Sequence, residues 1–171
     1  MRYIALLRGI NVGGHRRVPM KDLRITFEGL GLENVQTYIQ SGNVVFGAQE
    51  TGEAALEAAM ARDFGFPVDV MLRTQEEWAR LAERNPYPAQ AEAGGTKVHV
   101  AFLRHVPDEA ALIALRARSA GDDTWEHVGR ELYLYAPRGL GQSQLSLAPL
   151  RQTATVRNWQ TVLRLGEMLG A

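Results

Sequence analysis

The first 73 residues alternate apolar runs and helical repeats in the order strand, helix, strand, strand, helix, strand. The run Tyr3–Leu7 is apolar on both alternating faces, which predicts a strand that is covered on both sides. The segments Val35–Gln40 and Asn43–Phe46 flank Ser41-Gly42 and predict a hairpin. Val68–Leu72 predicts the fourth strand. This order within one short segment is typical of the ferredoxin-like α/β plait.

The two predicted helices of this first segment have distinct start and stop signals. Pro19 suits the first turn of a helix, and Gly31 suits its end. Apolar residues recur between them at helical spacing, namely Met20, Leu23, Phe27 and Leu30. Thr51 is expected to cap the second helix, which runs through Phe64 and ends at Gly65.

The second half repeats the order imperfectly. The sequence predicts three strands, over 98–103, 124–128 and 131–135. It predicts three helices: a capping-box helix from Thr74 to Pro86, a helix over 108–118, and a final helix over 155–169 capped by Thr155. Loops are predicted over 85–95 and 136–154. We therefore expect an α+β protein with two ferredoxin-like subdomains, in which antiparallel sheets and helices pack as one compact unit. The first covers residues 1–73, and the second, an incomplete plait, covers residues 74–171.

Composition excludes several classes of protein. The chain has no cysteine among its 171 residues, which excludes disulfides, thiolate nucleophiles and cysteine-ligated metals. The longest uninterrupted apolar run, Ala110–Leu115, has six residues, whereas a membrane helix needs about 20. No signal-peptide pattern is present, so we expect a cytoplasmic protein of bacterial type without a membrane partner.

Charge is balanced overall but uneven along the chain. Nineteen basic and nineteen acidic residues give zero net charge, which argues against a general nucleic-acid coat protein. Residues 1–24 carry six basic residues and one acidic residue, residues 138–171 carry four and one, and the centre is acidic. If the two basic ends meet in space, they form a local positive patch; ordinary scatter of surface charge is the alternative.

The strongest candidate for a binding site is the glycine-rich segment after the first strand. Arg8-Gly9-Ile10-Asn11-Val12-Gly13-Gly14 leads through His15-Arg16-Arg17 into the first predicted helix. Glycines let backbone N–H groups approach a ligand, and a helix N-terminus favours an anion. The spacing matches neither the dinucleotide fingerprint nor the P-loop. A plain turn is the structural alternative.

A second candidate lies near the C-terminus. The predicted final helix places Arg157 and Asn158 in its first turn, where a cation opposes the helix macrodipole. Either a bound anion or a carboxylate elsewhere in the chain would compensate this charge.

Templates for catalysis and for metal binding fit poorly. Leu145 stands where the nucleophile elbow around Ser143 requires glycine. The four histidines lack metal-ligand spacing, and the acidic cluster near Asp122 is typical of a solvated turn, so no metal or cofactor is expected. The predicted sheet also lacks the aromatic pair with which RNA-recognition domains stack bases, so we do not expect nucleic acid on its face.

Three segments together resemble a known bacterial family. Tyr3–Gly14 (YIALLRGINVGG), Thr37–Phe46 (TYIQSGNVVF) and Arg157–Val162 (RNWQTV) are similar, in order, to the family filed as domain of unknown function 1697. The resemblance implies two ferredoxin-like subdomains and no particular reaction. His15-Arg16-Arg17 stands where a lysine-rich segment is expected, which keeps the positive charge.

We therefore expect a non-catalytic protein that binds a phosphorylated or otherwise anionic small ligand. The alternatives are an enzyme for a phosphorylated or nucleic-acid substrate, with His15 or a central carboxylate as its acid or base, and a protein–protein interaction module. If the chain binds nucleic acid, we expect the contact at its two basic ends. The predicted ligand-binding residues are Arg8, Asn11, Gly13, Gly14, Arg16, Arg17, Ser41, Asn43, Arg157 and Asn158.

Overall fold

The strands form two four-stranded antiparallel sheets in a computed structural model that describes residues 1–118 and 120–170, and seven of the eight strands lie where the sequence predicts a strand. One compact unit contains Met1–Arg80 and the chain from Arg164 onward, and the other contains Leu81–Leu163. The first unit thus takes in residues 74–80 and the end of the last helix, beyond the expected boundary at residue 73. The sheets and helices confirm the α+β class.

The first unit is a ferredoxin-like plait, with its sheet in the order β2-β3-β1-β4. Its elements are β1 (Arg2–Leu7), α1 (Met20–Glu28), β2 (Glu33–Tyr38), β3 (Asn43–Gly47), α2 (Glu53–Phe64) and β4 (Val70–Thr74), followed by α3 (Gln75–Arg84). Phe46 lies at the centre of its core, stacked on Tyr3 at 5.8 Å and edge-on to Phe27 at 5.6 Å between ring centroids. These contacts join β3 to β1 within the sheet and to α1 on its face.

The second unit has the same sheet order, β6-β7-β5-β8. Its elements are α4 (Pro88–Ala93), β5 (Val98–Leu103), α5 (Glu109–Arg116), β6 (Thr124–Val128), β7 (Glu131–Tyr135), β8 (Ala154–Asn158) and α6 (Trp159–Leu169), with short 3-10 turns over Leu140–Gln142 and Ala148–Leu150. The two 3-10 turns occupy the place that α2 has in the first unit. The second plait therefore lacks its second α-helix.

Main-chain hydrogen bonds show that the two units are equivalent at the end of their first strand. The Arg8 amide donates to the Asp69 carbonyl at 3.0 Å, and the Arg104 amide donates to the Thr153 carbonyl at 3.3 Å. In each unit, the bond joins the residue that follows the first strand to the residue that directly precedes the last strand. The two sheets therefore present the same exit point for the loop that follows β1 or β5.

The predicted final helix over 155–169 is wrong at its start. Residues 154–158 form β8, and Thr155 pairs with Phe102 of β5 instead of capping a helix. The helix begins at Trp159, and its cap is Asn158, whose Oδ1 accepts from the Thr161 amide at 2.9 Å. The sequence of 154–158 alternates short polar and apolar residues, and its pairing with a strand about 55 residues away outweighs the local capping signal.

Smaller differences concern element ends. β2 ends at Tyr38, so the hairpin connection has four residues, 39–42, instead of two. The predicted loop over 85–95 contains α4, and α2 begins after Gly52, not Thr51, with no side-chain cap. The capping box is confirmed, because the amide of Thr74 donates to Glu77 Oε1 at 3.2 Å and the Glu77 amide donates to Thr74 Oγ1 at 3.1 Å.

Gly42 is the glycine at which a side chain is least tolerable. Its φ is 90°, and an added Cβ would lie 2.7 Å from Ile10 Cδ1 and 2.9 Å from Leu7 Cβ. We expect Gly42→Ala to lower the free energy of unfolding by about 3 kcal/mol, because left-handed strain and overpacking add. Urea unfolding followed by circular dichroism measures this loss.

Gly65→Ala is the matched control for Gly42→Ala. Gly65 has a similar φ of 78°, but an added Cβ would meet nothing within 4 Å. The control therefore carries only the strain, about 1–2 kcal/mol. Equal losses in the two variants would show that crowding against Leu7 and Ile10 contributes nothing.

Among the described residues, no helix combines the length and the apolar character required to cross a membrane.

Candidate functional site

The glycine-rich segment forms a long connection between β1 and α1 with unusual backbone angles. Five of its residues have positive φ, namely Gly9, Asn11, Gly13, Gly14 and Arg16. Glycine adopts this region freely, and asparagine tolerates it better than most residues. The loop is therefore wound tightly back on itself, as the bond from the Asn11 amide to the Arg16 carbonyl at 3.0 Å shows.

This connection is longer than the fold requires. Twelve residues, 8–19, join β1 to α1, whereas five residues, 104–108, join β5 to α5 in the equivalent place of the second unit. Both connections leave their sheets at the same hydrogen-bonded exit point. The additional residues in the first unit are thus not needed to close the plait, which makes them candidates for function.

Asn11 holds the base of this loop in place. Its side-chain amide donates to the Val18 carbonyl at 2.9 Å and to the Gln40 carbonyl at 2.8 Å. Its Oδ1 accepts from the Val18 amide at 2.8 Å. Three hydrogen bonds of this side chain therefore join the two ends of the loop to each other and to the β2–β3 turn.

A cavity of about 410 Å³ lies between the loop and that turn. It is lined by Asn11, Gly14, His15, Arg17 and Gln40. The structure therefore brings together three of the predicted ligand-binding residues, Asn11, Gly14 and Arg17. Gln40 and His15 are not among the predicted ligand-binding residues, although Gln40 precedes Ser41 in the TYIQSG segment and His15 follows the glycines.

The cavity is suited to negative charge. Arg17 is exposed, and its guanidinium has no hydrogen-bond or ion-pair partner in the part of the chain that the structure describes. None of the five lining residues is a carboxylate. Within the described ranges, the amides of Gly13 and Gly14 likewise have no protein acceptor. Unused N–H donors beside an unpaired cation can bind an anion.

The other two predicted arginines of this segment contact the protein itself. Arg8 lies 3.7 Å from Asp69 in an exposed ion pair. Arg16 donates from Nη1 to the Pro67 carbonyl at 3.0 Å, and its guanidinium lies 6.0 Å from the centre of the Phe66 ring. Neither residue lines the cavity.

Ser41 and Asn43 shape the turn beside the cavity. Asn43 is fully buried, and its amide donates to the Tyr38 carbonyl at 2.8 Å and to Ser41 Oγ at 3.1 Å. These bonds hold the four-residue connection in which Gln40 lies. The direct contact with ligand that the sequence suggested for Ser41 and Asn43 stays a prediction.

Arg157 and Asn158 lie in the second unit, on β8 and not in a helix. Arg157 is only 7% exposed, and its Nη1 donates to Thr155 Oγ1 at 2.7 Å and to the Val156 carbonyl at 3.0 Å. Burial lowers the pKa of Arg157 to about 10. The prediction that Arg157 lies in the first turn of the final helix is therefore wrong. A part for Arg157 in ligand binding stays a prediction.

The first unit has a buried arginine at the corresponding sheet position, which the sequence analysis missed. Arg73 pairs with Ile4 on β1, and Arg157 pairs with Val100 on β5. Arg73 is 1% exposed. Both plaits therefore bury an arginine at the same position of the sheet. Sequence alone gives no signal for it, since a charged residue is ordinarily read as exposed.

His99 is a buried titratable group on β5. It is 6% exposed, and its Nδ1 has no hydrogen-bond partner in the described part of the chain. Burial lowers the pKa of His99, against a smaller raising effect of the Lys97 backbone. The unfolded chain, with an ordinary histidine pKa of about 6.5, therefore takes up a proton at higher pH than the folded protein does.

This difference predicts a loss of stability in mild acid. The contribution is present above about pH 6.5 and is lost as the pH falls toward the lowered pKa of the folded state. We expect the free energy of unfolding to drop between pH 7.5 and pH 5.5, and to drop less in His99→Leu. Urea titrations at both pH values measure this. An equal drop in the variant would contradict the assignment to His99.

No three histidine, aspartate or glutamate side chains in residues 1–118 and 120–170 come together as a metal site would require. In the acidic segment near residue 122, Asp122 instead forms an exposed ion pair with Arg138 at 2.9 Å.

Two plaits of one sheet order, one of them carrying a long glycine-rich loop, define an α+β protein of duplicated ferredoxin-like architecture. The chain belongs to the family described as protein of unknown function (DUF1697), which it matches over residues 1–133. It is also similar to the solved structure of the conserved bacterial protein SP0830 from Streptococcus pneumoniae, with a TM-score of 0.80 and 27% identity over 98% of each chain. No curated protein matches the chain.

Proposed function

We propose that the chain binds a small phosphorylated or otherwise anionic ligand at the glycine-rich loop of its first unit. The observation that carries this proposal is the cavity lined by Arg17, whose guanidinium has no partner among the described residues, together with the absence of any carboxylate from its lining. Arginine grips phosphate oxygens through paired N–H donors. The extra length of the loop relative to residues 104–108 supports a dedicated role.

The proposal assigns different tasks to the predicted residues. Arg17 and the amides of Gly13 and Gly14 bind the anion, and Asn11 holds the loop that presents them. Ser41 and Asn43 fix the neighbouring turn. Arg8 and Arg16 add positive charge around the loop. Arg157 and Asn158 lie on β8 in the second unit. The prediction that they contact the ligand rests only on the basic charge of the C-terminal segment.

Thermal unfolding against a panel of phosphorylated compounds tests the proposal. The panel contains inorganic phosphate, pyrophosphate, nucleoside phosphates and sugar phosphates. A ligand present at about 100 times its Kd stabilises by about 2.7 kcal/mol, which raises Tm by roughly 5–11 °C in a chain of this size. We expect such a rise with at least one compound.

Arg17→Ala is expected to remove this rise in Tm, because it deletes the unpaired cation of the cavity. Arg80→Ala is the charge-matched control, since Arg80 lies in the same unit and forms an exposed pair with Glu76 at 2.8 Å. The control should keep the full rise. A panel without any shift, or a shift that Arg17→Ala leaves intact, would contradict binding at this loop.

A further inference from the structure

We infer, building on the proposed function, that the anionic ligand carries a hydrogen-bonding heterocycle and is a nucleoside monophosphate. The cavity offers more than an anion requires. Beside Arg17 and Gly14, its lining includes Gln40 and His15. A simple phosphate would use only donors, whereas these two groups can also accept hydrogen bonds or stack on a ring.

Gln40 supplies the polar recognition of the ring. Its backbone carbonyl is held by Asn11 at 2.8 Å, so its position is fixed by the loop. Its side-chain amide has no partner within residues 1–118 and 120–170. A primary amide presents a donor and an acceptor side by side, which is the pattern that pairs with the edge of a nucleobase.

His15 supplies a flat aromatic surface on the loop side of the cavity. Its amide donates to the Val12 carbonyl at 3.0 Å, which closes the tight turn around Gly13 and Gly14. Its imidazole has no hydrogen-bond partner among the described residues. Imidazole rings stack on exposed bases in single-stranded nucleic acids, and the same contact serves a free nucleotide.

Size and neighbouring apolar groups agree with this ligand class. A volume of about 410 Å³ falls within the roughly 300–1,000 Å³ of small-molecule sites. An exposed aliphatic residue adjoins a lining residue on each segment, Val12 after Asn11 and Ile39 before Gln40, with exposures of 64% and 47%. These two exposed side chains offer apolar surface on the same two segments, which a heterocycle uses and inorganic phosphate does not.

Calorimetric titration with matched ligands tests the inference. The probes are the 5′-monophosphates of adenosine, guanosine, cytidine and uridine, with ribose 5-phosphate and inorganic phosphate as ligands that lack the base. We expect at least one nucleotide to bind about tenfold or more tightly than ribose 5-phosphate. Gln40→Ala should abolish that preference and leave the affinity for ribose 5-phosphate unchanged.

Gln36→Ala is the control variant, because Gln36 is an exposed glutamine on β2 that does not line the cavity. Equal affinities for nucleotides and ribose 5-phosphate would overturn the inference and leave the proposed anion site standing. A nucleotide preference that survives Gln40→Ala would overturn the assignment of the ring to this cavity. If none of the probes binds, including inorganic phosphate, the proposed function itself fails.

Discussion

Deletion of residues 10–16 is expected to abolish ligand binding while the chain still folds. The shortened connection would have five residues, the same length as the connection over residues 104–108 that closes the second plait. The deletion removes Asn11, Gly14 and His15 from the cavity. It also removes Ile10, which is 2% exposed, so we expect a loss of about 3 kcal/mol in the free energy of unfolding. Circular dichroism with urea unfolding measures the loss, and titration with pyrophosphate or the best nucleotide measures binding.

Ile10→Ala separates the two effects of this deletion. It empties the same core position but leaves the loop and its hydrogen bonds intact, so it should lose similar stability and retain binding. If the deletion variant is unfolded while Ile10→Ala is folded, the loop is required by the scaffold. If the deletion variant still binds, the ligand site lies elsewhere.

Arg157→Ala is expected to lower the free energy of unfolding by about 3 kcal/mol. The substitution leaves a cavity in the second unit and removes the donor for Thr155 Oγ1 and the Val156 carbonyl. A large-to-small change at a buried position costs about 2–5 kcal/mol, and buried acceptors that lose their donor add to that cost. Urea unfolding of the variant measures this loss, and its effect on affinity is read separately under conditions in which the variant is folded.

Arg164→Ala makes the same change in net charge at an exposed site. Arg164 pairs with Glu167 at 3.0 Å on the surface of α6. Such pairs contribute little, so the change in stability should stay within about 0.5 kcal/mol. Similar small effects in both variants would show that the hydrogen bonds of Arg157 do not stabilise the second unit.

The parts of the fold that could be predicted have local causes. The apolar run of β1, the capping box at Thr74 and the Gly65 helix end each depend on neighbouring residues, and all three are present in the structure. The fold of the first 74 residues then follows, because six short elements in this order have few ways to pack.

The errors concern segments whose structure depends on distant contacts. Residues 154–158 form a strand because β5 pairs with them, and locally their alternation competes with the capping signal of Thr155. α4 is a different case. Its Pro88 at the first helical position and its alanines were available signals, but the neighbouring proline and glycines favoured a loop.

The site could be predicted in part for the same reason. The glycine-rich loop is a local pattern, and three of its predicted residues line the cavity. The contribution of Gln40 depends on the approach of the β2–β3 turn to Asn11, which is a tertiary contact. The burial of Arg73 and Arg157 is also tertiary, since each depends on its place in a finished sheet.

The hydrogen bonds at the two ends of the chain set an order on folding during synthesis. Arg2 donates from Nη2 to the Met168 carbonyl at 3.1 Å, and the Gln75 side chain donates to the Leu169 carbonyl at 2.8 Å. The sheet of the first unit has all its strands once residue 74 has left the ribosome, whereas that unit also requires residues from 164 onward. The first unit is therefore completed only after the strands of the second unit have been translated, and Arg2 reaches its partner only once residue 168 has left the ribosome.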